Sequence, residues 1–285
     1  MNKIAIITDT NSSMTPEEAK ELGIFLLQMP FIVDGREYSG EDECSYEHFF
    51  EMLANGADVS TSQPAPAVLT SYWDNILKEY DEIVHIPMSS ALSGSCATAK
   101  ALASGYDGRV CVADNKRISI SQRSSVLDAK RLSESGLNGS QIVERLEASS
   151  YDSSIYLAVN TLELLKKSGR VTSAGATLAT VLNLKPVLQI QGEKLDAFAK
   201  ARGMESAKSV MLKAIEQDLE NRFKGKNVTV ECAYSGDVTA ALQWKSQVEQ
   251  RFSQFGEIAL RKLPISISCH VGAGVLAIGC LQHLD

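Results

Sequence analysis

The sequence predicts an α/β protein of two α/β domains, and three observations carry the prediction. Through the first half, short runs of branched apolar residues alternate with stretches whose apolar positions repeat at helical spacing. Hydroxyl-rich turns follow several of these runs, and beyond Lys185 the texture changes to that of a hairpin. Alternating strands and helices build a parallel sheet with helices on both faces, whereas a hairpin pairs antiparallel and belongs to a different sheet. The expected division is therefore residues 1–155 and 156–285, the second domain carrying a smaller mixed sheet with helices.

Taken in order, Ile4–Thr8 reads as a buried strand, and the polar turn Asp9-Thr10-Asn11-Ser12-Ser13 ends it. Thr15-Pro16-Glu17-Glu18 has the form of a capping box with proline at the first helical position, so a helix follows. Leu69, Trp73, Ile76, Leu77 and Tyr80 share one helical face. Glu82–Pro87 is a strand, Ala97–Ala103 a helix, Val110–Ala113 a strand, Ser140–Ala148 a helix and Ile155–Val159 the last strand of the first half. In the second half, Pro186–Ile190 and Leu195–Lys200 flank a turn at Gln191-Gly192-Glu193-Lys194. The stripe Val210, Met211, Ala214, Ile215, Leu219 then marks a helix, Val228–Ala233 a strand, Ala240–Phe252 a helix and Glu257–Lys262 a strand.

Composition removes several classes of function. The 285 residues carry 28 Lys and Arg against 35 Asp and Glu, a net charge of −7 that repels phosphate backbones and anionic lipid surfaces. The longest apolar stretch, Val271 to Leu281, is broken by glycines and falls well short of the roughly 20 residues of a membrane helix. The first apolar run meets Asp9 too soon for a signal-peptide core, which points to a cytoplasmic protein. The six cysteines include no Cys-x-x-Cys pair and read as reduced residues. No G-x-S-x-G elbow, phosphate-binding Gly-Lys loop, H-E-x-x-H helix or clustered metal ligands occur. Gly272-Ala273-Gly274-Val275-Leu276-Ala277 matches a dinucleotide fingerprint formally, but too few residues follow it for a second strand and an acidic ribose ligand.

What remains is rich in hydrogen-bond donors. Ligands of open α/β sheets bind beyond the carboxyl ends of the strands, near helix N-termini. Three loops have the composition for that place: Asp9–Ser13, Ser60-Thr61-Ser62-Gln63-Pro64, and Ser89-Ser90-Ala91-Leu92-Ser93-Gly94-Ser95. Each is equally compatible with plain helix capping. Arg170 follows Gly169, where a guanidinium can grip a carboxylate or phosphate with two parallel bonds. His270 sits among small and apolar residues, either as an interior hydrogen-bonding residue or as a donor to an anion.

In this order, Ile7-Thr8-Asp9-Thr10, Thr61-Ser62-Gln63-Pro64, Ser89–Ser95, Leu162-x-x-Leu165-Lys166-Lys167-Ser168-Gly169-Arg170-Val171, Lys185-Pro186-Val187-Leu188, Lys200-Ala201-Arg202-Gly203 and His270-Val271-Gly272-Ala273-Gly274 resemble the DegV family of bacterial fatty-acid-binding proteins. The family's usual pattern differs at Thr10, Ser13, Ser168 and Ala273, positions that shape loops more than they supply donors. The resemblance implies a lipid tunnel between the two domains and a bound long-chain fatty acid such as palmitate, stearate or oleate. It implies no catalytic residue, metal or cofactor, and a separate fatty-acid kinase that phosphorylates the presented carboxylate. Carried over, Thr61, Ser62, Ser93 and Gly94 would hold the carboxylate, and Arg170 and His270 would face it or the incoming phosphoryl group. Two other readings are a serine-dependent acyl hydrolase using Ser93 with His270 as base, and a lipid-responsive regulator without a kinase.

Overall fold

The structure is a computed structural model and describes residues 2–177 and 184–284. The chain opens with β1 (Ile4–Asp9), a 3-10 turn at Thr10–Ser12, α1 (Pro16–Glu21) and β2 (Phe25–Leu27). β3 (Phe31–Val33) and β4 (Arg36–Tyr38) form a hairpin around Asp34-Gly35, both at positive φ, as a two-residue turn of this hand requires. After α2 (Tyr46–Ala54), β5 (Val59–Thr61) pairs with β3, completing a three-stranded sheet of order β4-β3-β5. α3 (Pro66–Ile76), β6 (Glu82–Ile86), α4 (Ser95–Ala103), β7 (Val110–Val112), α5 (Ser119–Glu134) and α6 (Gly139–Ala148) finish this half.

β1, β2, β6 and β7 make a fully parallel sheet of order β2-β1-β6-β7. Its faces alternate along the strands. Ala5, Ile7 and Ile83 pack under Leu69 and Trp73 of α3 and Ala99 of α4, whereas Ile6, Val84 and Ile86 pack under Val126 of α5 and Leu146 of α6. The expected layering is thus present. One local expectation fails: Thr15 Oγ1 does accept the Glu18 N–H at 3.2 Å, but the Glu18 carboxylate does not return to the cap. It is spent on Arg123 of α5 and on the Arg261 guanidinium at 3.1 Å, because two cations outcompete one amide.

The second half runs β8 (Ser153–Ala158), α7 (Glu163–Ser168), α8 (Ser173–Ala176), β9 (Leu184–Ile190), β10 (Asp196–Arg202), α9 (Met204–Glu220) and β11 (Val228–Tyr234). α10 (Val238–Arg251), β12 (Ala259–Lys262), α11 (Ile265–Val271) and β13 (Leu276–Gln282) complete it. The sheet order is β10-β9-β8-β13-β11-β12, with β9–β10 the expected hairpin and β11–β12 a parallel pair. This mixed sheet was expected to be the smaller; it has six strands against four. The difference comes from β8, expected in the first sheet but paired antiparallel with β9 and β13, and from β13 itself, hidden in the glycine-interrupted C-terminal run. We propose that the chain divides just ahead of Ser153, so that β8 stays whole.

One face of the mixed sheet packs on α9 and α10 through Met211, Ile215, Trp244 and Val248. The other face carries Ile155, Leu157, Leu188 and Ala277 toward the first half, against Met88, Leu92, Ile118 and Ile120. The three-stranded sheet closes over α11, with Phe31 and Phe49 packed in one cluster with Ile265 and Cys269.

Candidate functional site

Between these layers lies a cavity of about 360 Å³, and Thr61, Ser62, Ser93, Gly94, Arg170 and His270 all line it. Residues separated by up to 209 positions in sequence are thereby brought to one place, Thr61 Oγ1 lying 2.9 Å from His270 Nε2. The apolar part of the lining is supplied by Met29, Leu92, Ile118, Leu165, Leu195 and Val271. Such a mixture of an apolar body and a few convergent polar groups is the usual make-up of a small-molecule site.

Thr61 was expected in a loop before a helix; it is the last residue of β5, paired with Phe31. Alternation along the strand buries Val59, exposes Ser60 and leaves Thr61 half-buried. α3 starts at the Ala65 cap without a side-chain bond, so the Ser60–Ser62 hydroxyls do not cap it. α11 is held by its apolar face and by the Ile265 N–H, which donates to Glu41 Oε1 at 2.6 Å. That anchorage aims His270 at Thr61.

Burial, and after it the Arg170 charge, push the His270 imidazole down to about 4. It is therefore neutral at pH 7, with one ring nitrogen donating and the other accepting. When Nε2 carries the proton it donates to the Thr61 oxygen, and the Thr61 hydroxyl proton is free for an anion. Nδ1 has no hydrogen-bond partner among the described residues.

Ser93 ends the loop that follows β6. Its backbone is fixed by the Leu92 and Ser93 N–H groups donating to Ser89 O at 3.0 and 3.1 Å, while the Ser89 N–H donates to Arg117 O at 2.9 Å. Ser93 Oγ accepts the Ser95 N–H at 3.2 Å, which caps α4 and leaves the hydroxyl proton to donate. Gly94, the α4 cap residue, has φ −69°, so no left-handed backbone demands glycine there. A Cβ there would meet Gln63 Oε1 at 3.6 Å, an ordinary contact. Ser62 differs from the other hydroxyls: its Oγ donates to the Glu37 carboxylate at 3.2 Å, which takes up its one proton.

Arg170 follows Gly169, which ends α7 at φ +70°. Its Nε donates to Leu92 O at 3.2 Å and one terminal nitrogen donates to Ser168 O, so the guanidinium ties α7 to the Ser93 loop. Two carbonyls do not exhaust its five donors. Among the described residues lining the cavity it alone carries a permanent charge. Asn11, Gln63 and Ser266 also line the cavity. Asn11 and Gln63 lay within loops read as donor-rich but were not singled out, and Ser266 had no signal because α11 was not foreseen.

A hydrolase would need Ser93 within hydrogen-bond reach of a base. The His270 ring partner is Thr61, not Ser93. Among the described residues, no group of three His, Cys, Asp or Glu side chains could hold a metal ion, and no helix is long and apolar enough to cross a membrane. The six cysteines are all free thiols, and burial raises those of Cys96 and Cys269 to about 12.

Known proteins resemble this chain in sequence and fold. A DegV domain-containing protein of Deinococcus radiodurans is 28% identical over 276 residues, covering 96% of this chain and 97% of that protein. A fatty-acid-binding DegV family protein from Thermus thermophilus superposes with a TM-score of 0.88 at 29% identity, covering 99% of this chain and 100% of its own. A stearic-acid-binding protein from Eubacterium ventriosum shares the fold at 22% identity and a TM-score of 0.86, covering 99% of this chain and 98% of its own. A family model described as "Uncharacterised protein, DegV family" matches residues 3–283, and the chain belongs to the DegV family.

Proposed function

We propose that this protein binds one long-chain fatty acid, such as palmitate, stearate or oleate, with its carboxylate at Thr61, Ser93 and Arg170. Its acyl chain runs along the apolar lining. The observation that carries the reading is the cavity itself, which neutral donors and the Arg170 guanidinium line together with apolar side chains. The 29%-identical Thermus thermophilus protein, described as fatty-acid binding, supports it. The donor set suits an anion that must be held: hydroxyls and a guanidinium bind a carboxylate through charge-assisted hydrogen bonds.

The protein then serves as the substrate-presenting partner of a separate ATP-dependent fatty-acid kinase, and performs no turnover of its own. The half-exposed Ser93 and Arg170 and the exposed Gly94 leave the carboxylate within reach of a phosphoryl donor, which supports presentation over storage. Titration of delipidated protein with palmitate and oleate tests the first step, saturation at one acid per chain being expected. Addition of a cognate kinase and ATP tests the second, through formation of acyl-phosphate. Failure to take up either acid overturns the binding reading; uptake without phosphorylation by any cognate kinase overturns presentation and leaves a lipid-responsive regulator.

A further inference from the structure

Asp9, the last residue of β1, is 1% exposed and has both carboxylate oxygens in use. Oδ2 accepts the Met88 N–H at 3.0 Å; Oδ1 accepts the Asn11 N–H at 3.0 Å and the Gln122 side-chain amide at 3.1 Å. Met88 and Asn11 both line the cavity, and each leads to a different part of its polar end. From Met88 the chain runs directly to Leu92 and Ser93. From Asn11 the link is through side chains: Ser266 Oγ donates to Asn11 Oδ1 at 2.7 Å. Ser266 lies four residues ahead of His270 on α11, so the two share a helical face. One buried carboxylate thus fixes the Ser93 loop on one side and, through Asn11, the His270 helix on the other.

We propose that Asp9 is a positioning residue for the carboxylate site, setting the placement of the Ser93 loop relative to α11. It touches no ligand itself. The inference rests on the fatty-acid reading for its binding readout, but the placement it describes exists with or without a ligand.

The arrangement depends on an ionised carboxylate, because every neighbour of Asp9 is a donor. Protonation would set an O–H against the Met88 N–H or against the pair on Oδ1. Desolvation, only partly offset by these hydrogen bonds, pushes the carboxyl up to about 6. The surrounding elements bring no compensating charge. β6 contributes His85, which burial pushes down to about 3, and α4 contributes Cys96, raised to about 12, so both are neutral. α5 contributes the Gln122 amide, and α11 contributes Ser266, with His270 neutral beyond it. The hold on the loops should therefore weaken as pH falls through 6.

The test compares wild-type protein with Asp9→Asn and Ser266→Ala. Amide exchange is followed with lipid removed, and palmitate affinity is measured at pH 7.5 and near pH 5. In Asp9→Asn, exchange at residues 88–93 and 265–271 should rise about tenfold relative to α9, and palmitate should bind about tenfold more weakly at pH 7.5, as for one or two lost charge-assisted hydrogen bonds. The wild-type weakening on acidification should shrink in that variant, whereas the ligand's own titration is common to both. Ser266→Ala should speed exchange at 265–271 alone and keep the pH response. Wild-type exchange in those segments of Asp9→Asn overturns the inference; should that variant not fold, unchanged exchange at 265–271 in Ser266→Ala overturns it. A wild-type protein that takes up no palmitate defeats the fatty-acid reading instead, and the exchange comparison still decides the role of Asp9.

Discussion

The two walls of the cavity meet it with different chemistry. The wall from the first half of the chain offers hydroxyls, Thr61 on β5 and Ser93 in the loop after β6, each held through backbone that is itself hydrogen-bonded. The wall from the second half offers an imidazole and a guanidinium, each already engaged across the cavity, His270 with Thr61 and Arg170 with Leu92 O. One wall is a set of short, fixed donors; the other is a pair of struts, of which Arg170 carries the charge. The lesson is that a protein of net charge −7 need not gather a basic patch to hold a monoanion. On the fatty-acid reading, one half-buried guanidinium and neutral donors would suffice, because the acyl chain would supply most of the binding free energy.

That last statement gives the largest expected effect. Each methylene buried against the shared apolar lining is worth about 0.8 kcal/mol, so a chain six carbons shorter than palmitate should bind weaker by up to roughly 5 kcal/mol, a factor of several thousand. A displacement assay over decanoate to palmitate measures this. An affinity that barely changes with chain length would make the polar walls dominant.

The contrast between walls is sharpened by single substitutions. His270→Ala strips the partner from Thr61 and should weaken palmitate by about 1–3 kcal/mol. Ser93→Ala removes one donor from the fixed wall and should cost about 0.5–1.5 kcal/mol. Equal effects in a titration would erase the distinction between strut and donor. Arg170→Ala should leave uptake within about threefold, since surrounding donors remain, and yet abolish acyl-phosphate formation with a cognate kinase. Undiminished phosphorylation would remove Arg170 from presentation.

A further effect is on stability. The folded His270 titrates at about 4, below its ordinary value of 6.5, so in the unfolded chain it binds a proton that the native state refuses. Its contribution is present above 6.5 and is lost as pH falls toward 4. His270→Gln should therefore flatten the decline in Tm over that window, and an unchanged slope would mean that the imidazole is not shielded.

The same asymmetry governs what could be read from the sequence. The hydroxyl wall was legible because its loops follow strands and have few other uses; even so, Thr61 proved to be in a strand, since three-residue strands such as β3 and β5 are too short to show alternation. Arg170 and His270 were visible only as ambiguous candidates, a guanidinium after a glycine and a histidine among small residues, and the family resemblance gave them a common task. α11 was missed because Ile265-Ser266-Ile267-Ser268 alternates like a strand, and tertiary packing on Phe31 and Phe49 turns it into a helix. α5 escaped for the opposite reason: its first turns, Ser119 to Ser125, are polar yet buried, satisfied by contacts such as Gln122 with Asp9. Hydrophobic period carries no record of a buried polar face. The hairpin at Asp34-Gly35 had a readable turn signal that was overlooked.

The central claim is that the cavity holds a fatty acid. Protein purified under native conditions, then denatured and extracted with solvent, gives a direct answer by mass spectrometry. The account predicts close to one long-chain fatty acid per chain, of sixteen to eighteen carbons by the length of the three acids proposed. Protein that is consistently free of lipid, and that also fails to take up added oleate or palmitate, would contradict it.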